Sequence, residues 1–78
     1  MVVLSPAIAR AARAYTGLSH AQLGKAAGVA SRTVFKLEKD GNITAESLAK
    51  IVAVLEGHGV VFSYGADGRV AGMDFRAS

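Results

Sequence analysis

The chain has 78 residues, enough for one domain, and its 51% hydrophobic and 19% charged residues give the balance of a globular fold rather than a disordered one. Nine Lys and Arg against six Asp and Glu leave a formal charge of +3, a mild bias toward an anionic partner. There is no cysteine, which excludes disulfide scaffolds, thiolate metal sites and cysteine nucleophiles and fits a reducing cytoplasm.

No apolar run approaches the ~20 residues of a membrane span, and residues 1–6 lack the charged start and long apolar stretch of a signal peptide. A first helix is predicted over 6–15, opened by Ser5 as cap and Pro6 at the first helical position. It is rich in alanine, carries Arg10 and Arg13, and ends at Gly17. Ser19 caps a second helix from His20 to about Ala27, with Gly28 just past its end, where a left-handed residue closes a helix. After Val29 and Ala30, a third helix runs over about 31–39 and stops at Asp40 and Gly41. Thr44 caps a fourth over 45–56, with Glu46 in its first turn and Leu48, Ile51, Val52 and Leu55 on one face.

The tail changes period. Val60, Phe62 and Tyr64 alternate, as do Ala71, Met73 and Phe75, around the hairpin signal Asp67-Gly68. With those two as turn residues, Tyr64 faces Ala71, Phe62 faces Met73 and Val60 faces Phe75, all six on one face. Val61, Ser63, Gly72 and Asp74 take the other. The fold class is therefore mostly α with a C-terminal β-hairpin. Residues 1–57 form the helical part, and residues 58–78 a hairpin belonging to the same compact unit.

Residues 19–38 carry the most information. Two short helices joined by a tight turn need a small residue midway in the first, here Gly24, and a glycine at the turn, here Gly28. They also need apolar residues in the angle between them: Leu23, Ala27, Val29, Val34 and Leu37. Spacing alone also allows any helical hairpin with a glycine turn.

The combination Arg10-Ala-Ala-Arg13, Gly17-Leu18-Ser19, Leu23-Gly24, Gly28-Val29, Thr33-Val34, Leu37-Glu38, Gly41 and the apolar helix at 48–55 resembles the lambda-repressor-like helix-turn-helix family (Cro/C1, or xenobiotic-response-element, type). The resemblance covers residues 8–57. It implies a four-helix domain that binds double-stranded DNA sequence-specifically as a bacterial, cytoplasmic transcriptional regulator, with the third helix in the major groove. The DNA-binding residues it implies are Ser19, His20, Ser31, Arg32, Thr33, Phe35, Lys36, Lys39 and Asn42. Arg32 and Lys36 suit guanine edges, and Phe35 a thymine methyl unless it is buried under another element such as the hairpin. Lys39 and Asn42 lie near the backbone by the same resemblance. His20 stands where relatives often carry a glutamine that contacts phosphate and supports the recognition helix; the alternative is a surface histidine without a role. Arg13 and Glu38 match a pair that ties the first helix to the third, and Gly24 and Gly28 support the motif. Ala30 departs from the serine or threonine common in relatives as the third helix's cap, a role Ser31 is expected to take over.

Relatives often continue with a fifth, dimerising helix, whereas this chain has a hairpin. A lone two-stranded hairpin is marginal in water, so its apolar face must cover something. The expectation is a homodimer through Val60, Phe62, Tyr64, Met73 and Phe75; packing on the chain's own fourth helix is the alternative. A rival function is an antitoxin that binds a toxin partner and regulates its own operon, using the hairpin as the binding surface. An enzyme is not expected. His20 and His58 lack clustered carboxylates, and neither a phosphate-binding loop nor a Gly-x-Ser-x-Gly elbow is present. No metal or other cofactor is expected.

Overall fold

The computed structural model describes residues 4–66 and 70–75. Four helices, α1 (Pro6–Thr16), α2 (His20–Ala27), α3 (Ser31–Lys39) and α4 (Ala45–Gly57), precede an antiparallel pair, β1 (Val60–Tyr64) and β2 (Val70–Phe75). No described helix is long and apolar enough to cross a membrane.

The helix starts follow local chemistry. Ser5 Oγ accepts from the Ile8 N–H, and Thr44 Oγ1 from the Ser47 N–H (3.1 Å). Ser19 and Gln22 form a reciprocal box: Ser19 Oγ accepts from the Gln22 N–H at 3.0 Å, and Gln22 Oε1 from the Ser19 N–H at 2.9 Å. The start of α3 differs. Ala30 holds the cap position in extended geometry (φ −68°, ψ 149°) with no side-chain bond. Ser31 does not take over the cap, because it is already the first helical residue and its side chain lies past the point from which a cap reaches back.

Residues 28–30 join α2 to α3. Gly28 adopts φ 74°, and the N–H groups of Gly28 and Val29 donate to the Lys25 and Gly24 carbonyls at 3.3 and 2.8 Å, closing the end of α2. The returning chain then passes directly over Gly24. A Cβ at Gly24 would stand 2.8 Å from Val29 O, 3.2 Å from Ser31 N and 3.3 Å from Ala30 C. The absence of a side chain at this position is what lets the turn sit so close to α2.

One apolar cluster unites the elements. It contains Leu4 just before α1, Ala9 and Ala12 of α1, Leu23 and Ala27 of α2, Val34 and Leu37 of α3, and Leu48, Ile51, Val52 and Leu55 of α4. The hairpin joins it through Val60, Phe62 and Val70, with Met73 packed against it. The alanines of α1 let neighbouring helices approach, and each fully buried Leu or Ile contributes about 1.5–3 kcal/mol of apolar burial.

The hairpin pairs Val60 with Phe75, Val61 with Asp74, Phe62 with Met73 and Ser63 with Gly72, the expected register. It then slips. Tyr64 faces Val70, not Ala71, so β2 carries one extra residue as a bulge. Val70 takes the inner position and is buried, while Tyr64 stays 46% exposed rather than joining the covered face. The Tyr64 hydroxyl pKa is raised by burial and by the nearby Glu56 carboxylate of α4. The expected turn residues Asp67 and Gly68 lie outside the described residues, as do the side chains of Ala71 and Phe75.

Val60 and Phe62 are 1% and 6% exposed within the single chain. They are thus already used on the chain's own core, beside α4, and are not free to meet a second copy. On the hairpin, Val61 (44%) and Tyr64 present large apolar surface to solvent.

Candidate functional site

The site is built on α3. Val34, Leu37 and Glu38 face inward and are buried, which leaves Ser31, Arg32, Phe35, Lys36 and Lys39 exposed and Thr33 half-buried. Arg32, Phe35, Lys36 and Lys39 fall at i, i+3, i+4 and i+7, one helical stripe. Together with Asp40 they line a shallow depression of about 330 Å³. Phe35 is 52% exposed, so neither the hairpin nor any other described element buries it.

Two further depressions flank this stripe. One, of about 220 Å³, lies between Arg32, Thr33 and Lys36 on α3 and Asn42, Ile43, Thr44 and Ser47 at the approach to α4. Asn42 is exposed in that loop, and its N–H donates to Asp40 Oδ1 at 2.8 Å, which shapes the chain after α3. The other, of about 370 Å³, is lined by Arg10 and Arg13 of α1, His20 of α2, and Phe35, Glu38 and Lys39 of α3. Ser19 and Ser31 line none of these three depressions. Ser19 is engaged in its capping box, and Ser31 sits exposed at the first turn of α3.

Beneath the stripe is a buried ionic knot. Glu38 is 5% exposed, and its carboxylate accepts from Arg13 Nε and, at 3.1 Å, from Arg13 Nη2. Arg13 Nη1 also donates to the Leu18 carbonyl at 3.0 Å, so one planar guanidinium ties α1, the loop before α2, and α3. Arg10 Nη2 adds a bond to the Glu38 carbonyl at 3.1 Å. Burial pushes the Glu38 pKa up, but the bonds from Arg13 and His20 outweigh it, and the carboxyl lies below its ordinary value. The Arg13 pKa is raised, chiefly by its bond to Glu38.

His20 belongs to this knot. Its Nε2 stands 3.2 Å from Glu38 Oε1, and its ring meets Phe35 edge-on, with centroids 5.8 Å apart at 90°. One ring nitrogen is therefore turned inward to the protein.

Sequence reasoning missed Arg10, Asp40, Ile43, Thr44 and Ser47 as lining residues. Arg10 is one turn before Arg13 on α1, a visible signal, whereas Thr44 and Ser47 reach the site through the path of the loop. Among the described residues, no three His, Cys, Asp or Glu side chains gather as a metal site. The chain matches no protein-family model, and no curated protein is significantly similar to it.

Proposed function

We propose that the chain is a lambda-repressor-like helix-turn-helix regulator that binds double-stranded DNA sequence-specifically, with α3 in the major groove. The observation that carries this reading is the outer stripe of α3, where Phe35 stands half-exposed among Arg32, Lys36 and Lys39. A merely solvated face accounts for the three cations but not for the phenylalanine. A major groove accounts for both, since it offers guanine O6 and N7 acceptors to Arg32 and Lys36 and thymine methyls to an apolar ring. The Arg13–Glu38 pair and the close turn over Gly24 support the reading by fixing α3 against α1 and α2.

In this reading Lys39, Asn42 and the start of α2 at Ser19 meet phosphates, and two chains bind as a homodimer with recognition helices about 34 Å apart. The second copy meets the exposed parts of the hairpin, Val61 on the outer face and Tyr64 at the uncovered end of the inner one, because Val60 and Phe62 are already covered.

Selection of bound duplexes from a random pool tests the proposal. The full chain enriches one sequence, and Arg32→Ala relaxes it at one base pair at a cost of about 1–3 kcal/mol. A pool that stays random with the wild-type chain contradicts it.

A further inference from the structure

His20 links a fixed group to an exposed one. Glu38 is held by two bonds from Arg13, and His20 Nε2 lies against the same carboxylate at 3.2 Å. The imidazole also meets the Phe35 ring at a right angle, with 5.8 Å between centroids. A line of contacts thus runs from a buried ion pair, through one ring, to the aromatic ring that stands out from the cationic stripe.

The consequence lies in what Phe35 can recognise. In the major groove, base pairs display hydrogen-bond donors, acceptors and the pyrimidine C5-methyl, and the methyl is the group an apolar ring matches. A free phenyl ring would share its time between two or three staggered rotamers, weakening such a contact about two- to threefold. A ring braced from one side presents the same face continuously.

We propose that His20 is a positioning residue that holds Phe35 against the C5-methyl of one pyrimidine, so that the binding site demands a C5-methylated pyrimidine, thymine or 5-methylcytosine, at that base pair. This rests on α3 being the groove-reading helix. It assigns His20 a role distinct from phosphate binding, and the two roles differ in what they predict. A phosphate contact acts at every sequence alike and adds about one unit to the salt slope, whereas a positioning residue changes discrimination at one base pair and leaves the slope unchanged.

The test uses a duplex selected by the full-length wild-type chain. Each thymine is replaced in turn by uracil, which removes the methyl and nothing else. One position per half-site weakens binding about fourfold, the worth of one buried methyl group. At that position 5-methylcytosine paired with guanine binds about fourfold tighter than unmodified cytosine. Both differences vanish in Phe35→Ala. They fall below about twofold in His20→Ala, with an unchanged salt slope, and His20→Ala adds nothing to Phe35→Ala. His20→Phe, which keeps the ring contact and gives up the bond to Glu38, retains part of the methyl preference and serves if the alanine variant fails to fold.

Uniform tolerance of uracil overturns the inference. So does a methyl preference that survives His20→Ala and His20→Phe undiminished, or a salt slope that falls by about one in His20→Ala. Failure of the wild-type chain to select any sequence is a different result, because it removes the DNA reading itself and the inference with it.

Discussion

Gly24→Ala sets two effects of opposite sign against each other, and the geometry decides between them. Alanine in place of glycine within a helix gains about 1 kcal/mol from propensity. Gly24 does not have a positive φ, so nothing in its own backbone opposes the change. The new methyl, however, would stand 2.8 Å from the Val29 carbonyl oxygen and 3.2 Å from the Ser31 nitrogen. Both are backbone atoms of the turn, with no rotamer to retreat into. Overpacking against side chains costs about 1–3 kcal/mol, and a backbone neighbour puts this site at or above the top of that range. The net expectation is a loss of about 2 kcal/mol or more, which lowers Tm by at least about 8–16 °C for a domain of this size. Gly57 is the control. It also lies in a helix and lacks a positive φ, but a Cβ there meets nothing within 4 Å, so Gly57→Ala gains up to about 0.5–1 kcal/mol. Urea unfolding followed by circular dichroism measures both. A Gly24→Ala chain as stable as wild type, or more so, would refute the argument that the close turn requires this glycine.

Three further outcomes follow from the same structure. Glu38→Gln leaves Arg13 without its partner and costs about 2–3 kcal/mol at pH 7, at or below the low end for a buried pair because Arg13 keeps 19% of its side chain exposed. Since the Glu38 pKa is lowered, its contribution is complete above the ordinary carboxylate pKa and is lost as pH falls through the depressed value; stability–pH curves below about pH 5 are therefore flatter in the glutamine variant. Ala30→Ser supplies the missing cap of α3 in a backbone already set for it, and raises stability by about 0.5–1 kcal/mol in thermal melts. Phe62→Ala costs about 3–5 kcal/mol in the single chain, whereas Tyr64→Ser leaves unfolding within about 0.5 kcal/mol and shifts sedimentation toward monomer; equal effects of both on unfolding, or a wild-type chain that is monomeric with and without DNA, would undo the division of the hairpin into a covered and an exposed part.

The helices were legible because their signals are local. Ser5, Ser19 and Thr44 cap helices that begin where expected, and Gly28 closes α2 by a conformation few other residues accept. The hairpin was legible down to Ser63 from alternation. The slip beyond it was hidden because Val70 and Ala71 are both apolar, and a one-residue bulge between such neighbours leaves no mark in a period-two pattern. Alternation locates the apolar face but not what covers it, and the chain's own core, rather than a second copy, takes Val60 and Phe62.

The outer stripe of α3 followed from helical spacing. The placement of His20 did not, because its partners Phe35 and Glu38 lie 15 and 18 residues away and meet it through the packing of α2 on α3. The 3.6-residue period identifies neighbours along one helix and is silent about neighbours across two. Ser31 differs from expectation for a smaller reason: one residue separates a capping position from the first helical position, and helix boundaries read from sequence blur at that scale.

In the proposed function the stripe of Arg32, Phe35, Lys36 and Lys39 enters the major groove. Methylation interference at guanine N7 on a selected duplex tests it most directly, because that atom faces only the major groove. Interference is expected at guanines in two half-sites about 10 base pairs apart, with one guanine per half-site becoming indifferent to methylation in Arg32→Ala. Binding that ignores N7 methylation throughout, or an interference pattern unchanged by Arg32→Ala and Lys36→Ala in folded protein, would contradict it.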